Sequence, residues 1–138
     1  MTKKYIGTKI ITAFEQDKKV GENGIERGYC VIYEDGYQSW SPKETFERAY
    51  RAIEGDHQSL TFGDAIHMLK AGKRVARAGW KGKGMWLTHI NPGNAMHTSA
   101  AGAFDMQPCI GMKTADGKMQ PGWLASQADM LAEDWEAS

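Results

Sequence analysis

The segment Gly79-Trp80-Lys81-Gly82-Lys83-Gly84-Met85-Trp86 gathers two indoles, two ammonium groups and three glycines within eight residues. Glycines open the left-handed backbone region and let a ligand approach main-chain N–H groups. Indole rings offer flat faces to a base, and lysines neutralise phosphate. The combination suits a nucleotide better than a lipid, a peptide or a metal. Trp80 stands in a glycine-rich turn, where side chains are usually at the surface, and is expected to contact ligand. Trp86 falls on a strand whose same-face neighbours, Thr88 and Ile90, make only half an apolar surface, which leaves both a ligand contact and a core position open. Trp123 and Trp135 read as core, and Trp40 as packing at the start of the first helix. Arg74 and Arg77 fall on opposite faces of one strand, so at most one of them points to any single pocket.

Templates for catalysis fail in turn. Gly79 to Gly84 has the spacing of a phosphate-loop frame, but Met85 stands where the lysine belongs. Gly82-Lys83-Gly84 lacks the third glycine of a dinucleotide fingerprint. His57, His67, His89 and His97 have no H-x-x-x-H or C-x-x-C companion, so neither a metal nor another cofactor is expected. No serine occupies a nucleophile elbow. Most carboxylates sit at helix starts, where capping accounts for them. Binding without catalysis is the expected mode.

The elements that must hold these residues can be read in chain order. Tyr5 to Gln16 alternates as a first strand, and a polar loop with Gly21, Asn23 and Gly24 follows. Tyr29 to Tyr33 and Tyr37 to Trp40 flank Glu34-Asp35-Gly36, a hairpin signal. Ser41, Pro42 and Glu44 read as a capping box opening a helix whose buried face is Phe46, Ala49, Tyr50 and Ile53. Residues 54–60 read as a short polar linker. Thr61 with Asp64 starts a second helix, lined by Phe62, Ala65, Ile66 and Leu69 and stopped by Gly72. Strands are expected over Lys73 to Ala78 and Met85 to Ile90, on either side of the tryptophan–glycine turn. Asn91 to Pro108 has no sustained period and reads as a lid, a contact loop or disorder. A hairpin about Asp116-Gly117 follows, with Pro121 marking an edge strand. Ser126 to Asp129 is a further capping box before Asp134-Trp135.

The expected fold class is α+β, with antiparallel hairpins packed on one main helix and preceded by a small ββα module. The expected domains are residues 1–53 and 61–138. The chain has 138 residues and zero formal net charge, which argues against a duplex nucleic acid held mainly by phosphate contacts. The zero conceals asymmetry: residues 60–90 carry six basic side chains against Asp64, and residues 91–138 carry six acids against Lys113 and Lys118. Such a basic stripe fits a small anionic ligand. Cys30 lies in an apolar run and reads as a buried free thiol. Met1 to Tyr5 forms no apolar signal segment and no stretch reaches membrane-spanning length, so a cytoplasmic protein making no membrane contact is expected.

The run Phe62-Gly63-Asp64-Ala65, Leu69-Lys70-Ala71-Gly72-Lys73, Val75-Ala76-Arg77, Gly79-Trp80, Gly82-Lys83-Gly84-Met85 closely resembles the second Thoeris anti-defence family of phages and prophages. Met112 to Gly117 and Trp123 to Trp135 fit it too, so the resemblance spans about residues 60–136. Tyr5 to Lys9, Gly36 to Glu44 and Phe46 to Arg51 resemble a separate small module of phage proteins.

The family resemblance implies a molecular sponge in the infected bacterial cell. It would bind a cyclic ADP-ribose isomer, or in some relatives a cyclic oligonucleotide, and hold it uncleaved so that the Thoeris effector stays inactive. It also implies a homotetramer with pockets between subunits. By carry-over, Trp80 and Trp86 would stack on the ligand, and Lys83 with the Gly82 and Gly84 amides would hold phosphate. Met85 and Thr88 complete that part of the site. Ser126, Gln127 and Asp129 are candidates for ribose or phosphate hydrogen bonds, with capping of their own helix the competing role for Ser126 and Asp129. Two rivals stand beside the sponge: a hydrolase of the same nucleotides using Asp129 or His89, and a module that docks on a host protein.

Overall fold

Gly28–Ile32 is the β-prone run around which the first part of the chain assembles in the computed structural model, which describes residues 1–91 and 95–138. The chain divides into two units, Met1–Tyr50 and Arg51–Ser138. In the first, β1 (Thr12–Glu15), a small hairpin of β2 (Lys18–Val20) and β3 (Gly24–Glu26), β4 (Gly28–Ile32), β5 (Gln38–Pro42) and α1 (Lys43–Ala49) follow one another. The three-stranded sheet runs β1-β4-β5, all antiparallel. Tyr29 stacks on Phe46 of α1 with ring centroids 4.1 Å apart, and its hydroxyl donates to Glu47 at 2.8 Å. That bond, with Glu47's charge nearby, pushes the Tyr29 phenol up to about 12. On the other face Trp40 lies directly over Gly28, where a β-carbon would collide with its ring, and Trp40 Nε1 donates to the Gln16 carbonyl.

Three expectations for this unit shift. The first strand is only Thr12–Glu15, because Thr12 already pairs with Ile32, the last residue of β4, and earlier residues have no strand partner among the described residues. The polar loop at 21–24 is the turn of the β2–β3 hairpin, with Gly21 at φ +67. The capping box of Ser41 and Glu44 does not form. Ser41 and Pro42 remain paired with Tyr29 and Gly28, so α1 begins at Lys43 and stops at Ala49 without a side-chain cap.

The second unit contains α2 (Phe62–Lys70), β6 (Val75–Arg77), a 3-10 helix (Ala78–Lys83) and β7 (Trp86–Ile90). It continues through β8 (Ala95–Thr98), β9 (Gly102–Asp105), β10 (Cys109–Lys113), β11 (Met119–Pro121), α3 (Gln127–Leu131) and β12 (Trp135–Ala137). Five strands form one sheet in the order β11-β10-β7-β6-β12, and β8 pairs with β9 in a separate hairpin. The fold is α+β, as the sequence pattern implies. The capping box of α2 forms as expected, with Thr61 and Asp64 exchanging both bonds. The helix ends in a Schellman arrangement: Lys73 N–H bonds the Met68 carbonyl, Gly72 N–H bonds that of Leu69, and Gly72 takes φ +86. Pro121 falls on the edge strand, where its missing N–H is tolerated.

α2 lays Ala65, Met68 and Leu69 on one face of the sheet, against Val75, Leu87, Trp135 and Ala137. Two features were not expected. The carboxyl-terminal residues form a strand, β12, paired antiparallel with β6. Gln58 and Leu60, read as polar linker, are buried against that strand. Gln58 donates to the Ala137 carbonyl at 2.9 Å and accepts from its N–H at 2.8 Å, while Leu60 and Trp135 exchange backbone bonds. Part of Asn91 to Pro108 is the β8–β9 hairpin; residues 92–94 of that stretch lie outside the described residues.

Trp135 is fully buried and touches the rings of Phe62, Trp80 and Trp123. Trp135→Ala should therefore cost ~3–5 kcal/mol of stability, the range for emptying a large aromatic site. Urea unfolding of the full chain checks this, and a loss below ~1 kcal/mol would contradict the packing described.

Candidate ligand-binding face

Alternation along β7 divides the tryptophan–glycine segment between two environments. Leu87 is fully buried beneath α2, so Trp86, Thr88 and Ile90 point to the sheet's other face. Register places Lys113 opposite Trp86, Gly111 opposite Thr88 and Cys109 opposite Ile90 on that same face. Arg74, just ahead of β6, lays its guanidinium over the Trp86 ring, 4.2 Å from the centroid. Lys113 Nζ donates to the Gly84 carbonyl at 2.7 Å. Ile90 and the sulfur of Met119 close over Gly111, where any β-carbon would strike both. A half-buried indole flanked by two cations is an arrangement able to stack a base and neutralise phosphate.

The two indoles of the segment do not share this face. Trp80 leaves the 3-10 helix toward the core and meets Trp135 and Trp123 edge-on, at centroid distances of 5.4 and 6.1 Å. It keeps partial exposure. The glycine-rich stretch is not an open turn but that 3-10 helix, ended by Gly84 in the left-handed region at φ +66. The Gly84 N–H, expected to meet phosphate, is bonded to the Lys81 carbonyl, and that of Met85 to Trp80. Gly82 has open space around its α-carbon, and Lys83 is exposed. Lys81 instead turns to Glu136, 3.1 Å away. The Glu136 Oε2 involved is buried, and Lys81 is its charge partner among the described residues.

Ser126, Gln127 and Asp129 lie at the start of α3. Ser126 and Asp129 exchange both capping-box bonds, at 3.0 and 3.1 Å. Asp129 also accepts from Arg77 at 3.1 Å, while Arg77 Nε reaches Asp134 at 2.8 Å. Trp135 Nε1 donates to the Asp129 carbonyl. Of their two open roles, the capping one is occupied. The structure thus groups Trp86 and Thr88, brings Trp80 to the core beside Trp123 and Trp135, and leaves Lys83 exposed at the end of the 3-10 helix. Arg74 and Lys113 are cations of the outer face that the sequence reading did not assign to the site. The signal for Lys113 was its place in a strand pairing with β7, which needs the register to become visible.

Partial burial opposes ionisation of Asp129, but the backbone N–H and hydroxyl of Ser126, with Arg77, outweigh it and hold the carboxyl below the usual range. Asp64 is held low in the same way, burial being overcome by bonds from Arg51 and Thr61. A depressed folded value stabilises fully above the ordinary carboxylate range and is lost as pH falls through the folded value. Thermal stability should therefore hold from neutrality down to about pH 5 and decline below about pH 4. Asp129→Asn should be less stable at neutral pH and flatter in acid. A wild-type chain that gains stability below that range would contradict the assignment.

Among the described residues no helix is long and apolar enough to cross a membrane. A family model described as the Thoeris anti-defense 2-like domain matches residues 60–138. The protein named Thoeris anti-defense 2 from Bacillus phage SP01 is 38% identical over 84 residues, which cover 56% of this chain and 92% of that protein. The matched residues take in α2, the whole five-stranded sheet and α3. The chain belongs to the Thoeris anti-defense 2 family of anti-defence proteins.

Proposed function

We propose that this protein acts in an infected bacterial cell by binding a cyclic ADP-ribose-type immune signal and holding it uncleaved, so that the Thoeris effector is not activated. The observation that carries the reading is the outer-face group, with Arg74 over Trp86 and Lys113 at the paired position. An adenine stacks on the free side of the indole, and the cations meet the pyrophosphate. A cyclic oligonucleotide presents the same chemistry and is the second ligand of this proposal. Stacking contributes ~1–3 kcal/mol per base, and each charge-assisted hydrogen bond about 1.5–3 kcal/mol. A few such contacts in a preformed pocket approach the ~12 kcal/mol of nanomolar binding.

Trp80 packs from the 3-10 helix into the core while Trp86 points from the other face of the sheet, so within one copy the two rings do not form a clamp about one base. Both meet one ligand only where two copies join. This supports the homo-oligomer, taken as a tetramer from the family resemblance, with pockets between subunits. In that arrangement Trp80, Gly82, Lys83 and Gln127 of one copy face Trp86, Thr88 and Lys113 of another. Met85 and Gly84 set the backbone between the two groups, and Ser126 and Asp129 hold α3 in place.

Native mass spectrometry of the full chain with a cyclic ADP-ribose isomer should show bound ligand, and heating should release it at unchanged mass. Trp86→Ala and Lys113→Ala should each weaken binding roughly 10–100-fold. Mixing Trp80→Ala with Trp86→Ala subunits should restore part of the binding that neither has alone. A product that accumulates with time would establish a hydrolase instead. Wild-type binding by both outer-face variants would remove this face from the site.

A further inference from the structure

Residues 1–11 of the first unit precede β1 without pairing, and they combine two chemistries. Lys3 and Lys4 are followed at once by Tyr5 and Ile6, which are 88% and 101% exposed. The same unit carries a cleft of about 890 Å³ between residues 9–12 and the β4–β5 turn. Ile10, Ile32, Tyr33 and Tyr37 supply its apolar lining, and Glu34 and Asp35 its acidic rim. Tyr33 and Tyr37 stack on each other at 5.8 Å, and Lys9 sits over Tyr33, so the aromatic wall is built before anything enters.

We infer that this cleft receives the Lys3–Ile6 segment of a second copy, giving a reciprocal contact between amino-terminal units. Charge and apolarity match: two cations beside two exposed apolar side chains meet Glu34 and Asp35 beside an apolar wall, and these two anions outnumber the one lining cation, Lys9. The copy's own segment is poorly placed to enter. Only Gly7 and Thr8 separate Ile6 from Lys9, which itself lines the cleft. A symmetric exchange satisfies both segments and both clefts at once. The contact lies outside the family match at residues 60–138, so it stands apart from the ligand-binding reading.

Cross-linking between differently tagged full-length copies tests this in a Cys109→Ser background, with Cys30 buried. A copy carrying Ile6→Cys mixed with one carrying Tyr37→Cys should form an intermolecular disulfide several-fold faster than the same copy mixed with Glu22→Cys. Glu34→Lys with Asp35→Lys should suppress it, and adding Lys3→Glu with Lys4→Glu on the partner should restore it. These positions are exposed, and circular dichroism checks that each variant is folded. Cross-links confined to a single chain carrying both cysteines, or yields equal to the Glu22 control, would overturn the inference. So would indifference to charge reversal.

Discussion

The burial of the Trp135 indole is the contact on which the second unit depends. Its backbone pairs with Leu60 on one side and Arg77 on the other, and its Nε1 donates to the Asp129 carbonyl of α3. Its ring is shared by Phe62 of α2, Trp80 of the 3-10 helix and Trp123. One residue near the carboxyl end thereby joins both helices, the sheet edge and the segment that carries the other indoles. An aromatic side chain of this size buries on the order of 150–250 Å², more than any aliphatic neighbour. The polar groups around it are arranged to keep that burial inexpensive. Arg77 bridges Asp129 and Asp134, and the Gln58 amide takes up both hydrogen-bonding groups of Ala137.

A second constraint is the two-residue period of β7. Because Leu87 must enter the core, Trp86 cannot, and Trp80 is drawn the other way by Trp135. A reading of the segment as one aromatic–glycine cradle is thus geometrically excluded within a copy, although every residue type in it suits a nucleotide. The outer-face group is built from different residues than proximity in sequence suggested. Arg74 and Lys113 are 39 positions apart and meet the Trp86 neighbourhood only through strand register.

Much of the fold was legible wherever a local device had its own residues. The capping boxes at Thr61 and Ser126, the turn at Asp35-Gly36 and the Gly72 stop all form where their side chains or φ demands placed them. The box proposed at Ser41 failed because strand pairing to Tyr29 competes for the same backbone. β12 was not legible: Trp135-Glu136-Ala137 is too short to show a period, and it exists because β6 has a free edge. The β8–β9 hairpin was hidden for a similar reason, its strands being rich in Ala and Gly with little apolar alternation. For the candidate site, the residue types could be read in advance but their facing could not, since facing is decided by partners distant in the chain.

The guanidinium lying over the Trp86 ring has a thermodynamic corollary. A lone indole on an open sheet samples several rotamers, and a partner molecule must arrest that motion on arrival. Here one π-face is already covered by the Arg74 guanidinium, which restrains the ring before any ligand arrives. Association then freezes fewer torsions, while the positive charge behind the ring makes it a better neighbour for an electron-rich heterocycle than for another cation. In the proposed ligand contact, that charge would disfavour ammonium-bearing molecules.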